Sequence, residues 1–192
     1  LLTTPQNIRY FTGYDSQFWE SPTRPWFVVV PTSGKPIGIV PEIGESEFKK
    51  TWLEDIKTWP SPRPEDEGIS ILKSTIDDLK KTYGQIGAEF GKEMAIRMPV
   101  RDLFKLKKIL KTNIVDGSDA IWEMRMIKTN AEVERIKHIC SIASDAYYDL
   151  PSKLNIGDTE REAVNKLKID IINRGADNVP FMPGISGKGG VS

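Results

Sequence analysis

The sequence is short of the residues that most often build reaction centres. It holds one cysteine, Cys140, and one histidine, His138. A lone thiol cannot close an internal disulfide, which fits a reducing, cytoplasmic setting. A lone histidine removes the commonest metal ligand and general base. His138 has no second histidine one turn away, so it reads as a helix-surface residue. An excess of charge is missing too: 27 basic residues balance 27 acidic ones. No global field therefore favours nucleic acid or an anionic membrane as a partner. No apolar run approaches the ~20 residues that span a bilayer, and the opening residues show no signal-peptide pattern.

What is present is an ordinary globular composition, 39% hydrophobic and 28% charged over 192 residues. Residues 1–117 read as strands alternating with helices. The opening "LLTTP" reads as the tail of a buried strand whose start lies upstream. "WFVVVP" (26–31) is a continuous apolar run, as expected of a strand covered on both faces. "TSGK" turns the chain into a second strand, "PIGIVP" (36–41), making a hairpin. "GESEFKKTWLED" reads as a short helix carrying Phe48 and Trp52 one turn apart, and "IKTWP" as a further strand. After a proline-rich loop, Ile69, Leu72, Ile76, Leu79 and Tyr83 recur every three or four residues, one face of an amphipathic helix. Glu65, Asp66 and Glu67 stand at its start and Gly84 at its end. "QIGAEF" is a strand, Pro99 opens a helix burying Leu103, Leu106 and Leu110, and "NIVDG" is a last short strand.

From residue 118 to 192 the pattern is helical, which places a domain boundary at 117/118. Thr129 with Glu132 and Thr159 with Glu162 have the spacing of capping boxes. The first helix carries a stripe of Val133, Ile136, Cys140, Ala143, Tyr147 and Leu150, and so predicts a buried, structural Cys140. The second carries Val164, Leu167 and Ile171. Two helices cannot bury both stripes against each other alone, so this second domain reads as unfinished at residue 192. The tail begins like a strand at "NVPFMP". "GISGKGG" (184–190) lacks the first glycine and the Ser/Thr of a phosphate-binding loop and predicts no nucleotide site.

One stretch has an unusual content. The loop at 14–25 holds Tyr14, Phe18, Trp19 and Arg24, with Trp26 just beyond. Rings in such a place either cover the sheet edge or form a contact surface, since aromatics beside an arginine are what binding hot spots use. Composition leaves both open.

Three segments carry a family resemblance. "NIRYFTGY" (Asn7, Ile8, Tyr10, Thr12, Gly13, Tyr14) resembles the N-I-x-Y-x-T-G-F segment of the creatinase, prolidase and aminopeptidase P family. "RMIKTNAEVERI" matches its linker at Arg125, Ile127, Lys128, Thr129, Glu132, Val133 and Ile136. "RGADNVPFMPGISGKGG" is similar to the strand leading into its catalytic sheet. The resemblance implies an N-terminal α/β domain with a mixed, ribonuclease-H-like sheet, then the first helices of a pita-bread α+β domain. It implies an X-Pro peptidase holding two divalent metal ions (Mn, Co or Zn) on two Asp, one His and two Glu, which polarise a carbonyl and activate water. Those ligands would all lie beyond residue 192, so the 192-residue chain is expected to be inactive alone. It further implies a cytoplasmic homodimer acting on peptides, in which Phe18, Trp19 and Arg24 lean over the partner's pocket. A creatinase-like amidinohydrolase and a non-catalytic protein-binding relative are the alternatives.

Overall fold

The run at 26–31 forms β1 (Phe27–Val29), and its three residues are all buried. Its neighbour β2 (Ile37–Pro41) pairs with it antiparallel, Phe27 opposite Ile39 and Val29 opposite Ile37. This is a computed structural model, and it describes residues 1–20, 24–80, 84–110 and 112–184. A helix, α2 (Glu42–Phe48), crosses from β2 to β3 (Asp55–Trp59), which lies parallel to β2. A second pair, β4 (Gln85–Ala88) and β5 (Asn113–Asp116), is parallel and joined through α4 (Val100–Ile109). Residues 1 and 2 link the two sheets. Leu2 and Val28 exchange backbone hydrogen bonds of 2.8 and 3.0 Å. The Leu1 amine donates to the Gly87 carbonyl at 2.7 Å. The result is the expected mixed sheet.

Helices cover both faces, which explains why β1 and β2 read as solid apolar runs. On one face Phe27, Val29 and Ile39 pack with Leu72 and Ile76 of α3 (Ile69–Lys80) and Leu106 of α4. On the other, Val28 and Val40 pack with Ile8 of α1 (Pro5–Thr12), Phe48 of α2 and Ile121 of α5 (Ser118–Met126). Of the acidic residues before α3, Asp66 caps it, accepting the Ser70 N–H at 3.0 Å, while Glu67 accepts instead from the Trp59 indole and Arg63 N–H. Tyr83 lies outside the described residues.

Two readings in this region need correction. Trp52 is not on the helix of Phe48. The Thr51 hydroxyl donates to the Phe48 carbonyl at 2.8 Å and accepts from Leu53 N–H at 3.3 Å. That turn ends the helix and leaves Trp52 56% exposed, its indole donating to the Phe11 carbonyl. Residues 5–12, where spacing predicts no helix, form α1. Pro5 sits at its first turn and Gly13, at φ 77°, closes it in the left-handed region that favours glycine.

The chain divides into two compact units, Leu1–Met126 and Ile127–Ser192. The division falls later than the composition change at 117/118, because α5 buries Ser118 and Ile121 with the first unit. The second unit holds α6 (Asn130–Lys153) and α7 (Glu160–Asn173), each opened by the expected capping box, complete in both directions. The helices meet through Ile142 and Ala146 against Leu167 and Ile171. This corrects the expected stripe on α6. Cys140, Ile136 and Tyr147 are exposed, because the face toward α7 is centred on 142 and 146 instead. Ion pairs fix the same pairing: Arg174 at the end of α7 reaches Asp149 of α6 at 2.6 Å, and Lys153 of α6 pairs with Asp170 of α7. Val179–Gly184 forms no strand with the described residues, and most of "GISGKGG" lies outside them.

Candidate contact loop

The loop after α1 is built from its own short-range bonds. The Thr12 hydroxyl donates back to Ile8 O at 2.7 Å and accepts from Tyr14 N–H at 3.0 Å. Asp15 accepts from Ser16 N–H at 3.0 Å and from the Trp19 indole at 3.2 Å, and pairs with Arg9 at 3.0 Å. A single 3-10 turn, Gln17–Glu20, follows.

The rings within the loop divide into two kinds. Tyr14 is buried and stacks on Trp26, centroids 5.0 Å apart. Burial pushes its phenol pKa up. Trp19 stands edge-on to both, at 5.4 and 5.3 Å, and is partly buried against the core of its own domain. The Arg97 guanidinium lies 5.8 Å over its ring and also donates to the Trp19 carbonyl. Phe18 is left 37% exposed. Trp19 is therefore the anchor of the loop and Phe18 the ring it presents. Arg24 is half-buried, and its Nε has no hydrogen-bond partner among the described residues. The structure so brings Tyr14, Trp19 and Trp26 into one aromatic cluster, while Phe18 stays outside it.

Sequence reasoning missed the polar centre beneath. Glu89, 1% exposed, accepts from Thr3 N–H (2.6 Å), Thr3 Oγ1 (2.9 Å), Thr4 N–H (3.0 Å), Thr4 Oγ1 (2.6 Å) and Asn7 Nδ2 (2.5 Å). Asn7 in turn accepts from Arg125 Nη1 at 2.6 Å. Arg125 sits 5.6 Å over the ring of Tyr10, whose hydroxyl donates to Met124 O. Asn7, Tyr10, Thr12 and Gly13 thus each have a physical task, as does Arg125. The signal was available in the paired threonines ahead of a polar helix start, but their acceptor lies over 80 residues away.

No group of three or more His, Cys, Asp or Glu among the described residues could hold a metal ion. His138 is exposed on α6. The described residues thus do not fit the implied two-metal site. No helix of the described residues is long and apolar enough to cross a membrane.

Residues 1–127 match the model of the creatinase/prolidase N-terminal domain. The chain belongs to that family. A prolidase from Thermococcus sibiricus is similar over 93% of this chain and 46% of its own, at 25% identity and a TM-score of 0.70. An X-Pro aminopeptidase from Thermotoga maritima shares the fold over 94% of this chain and 48% of its own, at 21% identity and TM-score 0.70. An uncharacterized peptidase of Staphylococcus epidermidis is 28% identical over 180 residues, 94% of this chain and 47% of that protein. The chain thus spans about half the length of the curated relatives it matches. In this creatinase/prolidase domain the aromatic loop follows directly on α1.

Proposed function

We propose that the chain is the N-terminal part of a metal-dependent X-Pro peptidase, of prolidase or aminopeptidase P type, that hydrolyses the bond preceding proline. The family match over residues 1–127, with relatives named as peptidases and prolidases, carries this reading. Two divalent ions, Mn, Co or Zn, and the water they activate belong to a part of the parent outside these 192 residues. The chain alone is inactive. The parent is a cytoplasmic homodimer acting on peptides.

The contribution of these residues is the loop. Phe18, with Trp19 as its anchor, closes over the partner subunit's pocket and excludes water, which strengthens every charge interaction there. Arg24, at the end of the loop, stands beside it as a further contact residue. The exposure of Phe18 supports the assignment.

The test is hydrolysis of an X-Pro dipeptide and a longer X-Pro peptide by the full-length parent, with and without manganese. Cleavage that needs the metal, and none by the 192-residue chain, is the expected result. A parent that leaves both peptides intact at saturating metal would refute the peptidase reading.

A further inference from the structure

Residue 97 has two partners in different places. Its backbone N–H donates to Thr3 Oγ1 at 2.8 Å, and that hydroxyl donates in turn to the buried Glu89. Its guanidinium lies 5.8 Å over the Trp19 ring and donates to the Trp19 carbonyl. One residue so joins the polar centre under α1 to the loop that follows α1.

The turn that carries Phe18 is weakly held by its own bonds. Gln17–Glu20 is a single turn of 3-10 helix, a form with poor hydrogen-bond geometry. The Trp19 N–H reaches Ser16 O at 3.3 Å, and the Phe18 N–H reaches Ser16 Oγ at 3.1 Å. Support comes through Trp19. Its indole N–H goes to Asp15, its ring meets Tyr14 and Trp26 edge-on, and its face and carbonyl meet Arg97. Asp15 belongs to the loop and moves with it. Tyr14 and Trp26 grip the ring, but apolar contact is non-directional. Arg97 adds a directed, charge-assisted bond to the backbone itself.

The geometry points to Arg97 as the positioning residue of the loop: its side chain fixes the backbone at Trp19, and thereby the place of Phe18 one residue earlier. This inference rests on the proposed role of the loop in X-Pro hydrolysis. Two physical points sharpen it. A planar guanidinium stacks on an aromatic face while donating hydrogen bonds, and an ammonium on a flexible stem does not reproduce both. Lysine is therefore a poor replacement. The bond to Thr3, in contrast, uses the backbone N–H, which alanine and lysine keep. Changing the side chain loosens the loop and leaves the Glu89 centre made.

The full-length parent tests this as Arg97→Ala, Arg97→Lys, Phe18→Ala and the Phe18→Ala/Arg97→Ala double variant, by amide exchange and by steady-state hydrolysis of an X-Pro dipeptide. Arg97→Ala is expected to speed exchange at Phe18 and Trp19 at least ~10-fold, with the Thr3 amide, bonded to Glu89, unchanged. Arg97→Lys should recover little of that protection. Arg97→Ala should lower kcat/KM at least ~10-fold, divided between kcat and KM as in Phe18→Ala. The double variant should be no slower than Phe18→Ala alone, since one residue acts through the other. Unchanged exchange at Phe18 and Trp19, an equal rise at Thr3, full rescue by lysine, or losses that add in the double variant would overturn the proposal. Normal hydrolysis by Arg97→Ala beside a slow Phe18→Ala would overturn the positioning role alone. Normal hydrolysis by Phe18→Ala would overturn the loop's role in the reaction, and the positioning role with it.

Discussion

Glu89 gathers five hydrogen bonds onto one buried carboxylate at the start of α1. A helix N-terminus favours negative charge there. Truncating it strands buried donors from Thr3, Thr4 and Asn7. Glu89→Ala should cost about 3 kcal/mol in urea unfolding, and Glu89→Gln should recover only part of that, because its NH2 faces donors. A second residue-scale prediction concerns pH. In the folded chain the Leu1 amine sits at about 6, against 8.0 when unperturbed, mainly through burial. Between those values the unfolded chain holds a proton that the folded one lacks, so stability rises with pH from about 6 to 8. For the 192-residue chain the gain is about 3 kcal/mol at most. Acetylating Leu1 should flatten that slope in denaturant melts at a series of pH values.

At the scale of elements, local signals were legible and long-range ones were not. Both capping boxes were readable because their partners lie three residues apart. Thr159→Ala should destabilise the second unit by about 1 kcal/mol, seen as a lower helical melting midpoint. The hairpin and the doubly covered β1 followed from a turn and an apolar run. By contrast, the buried face of α6 depends on which residues α7 meets, and apolar residues ring much of that helix. Ile136, Ile139, Tyr147 and Tyr148 are all exposed while Ile142 and Ala146 are buried, so periodicity alone picked the wrong stripe. Helix α1 was hidden for a similar reason. Its polar residues are satisfied from Glu89 and Arg125, far along the chain. The loop's composition could be read directly, but the division of labour between Trp19 and Phe18 depends on Arg97 and could not.

At the scale of the whole molecule, the second unit keeps apolar side chains in solvent, on α7 and on the segments before and after it. Ile156, Phe181, Ile169 and Ile172 are 109%, 84%, 59% and 48% exposed. Apolar side chains so exposed mark surfaces suited to further contacts, and the chain spans about half the length of its curated relatives. The loop after α1 is proposed to serve a reaction centre outside its own domain. The most direct measurement is steady-state hydrolysis of an X-Pro dipeptide by the full-length parent carrying Phe18→Ala, alongside its melting temperature. The account predicts that kcat/KM falls at least ~10-fold, about 1.4 kcal/mol of transition-state stabilisation, with melting unchanged. Unaltered kinetics in a normally folded variant would contradict it.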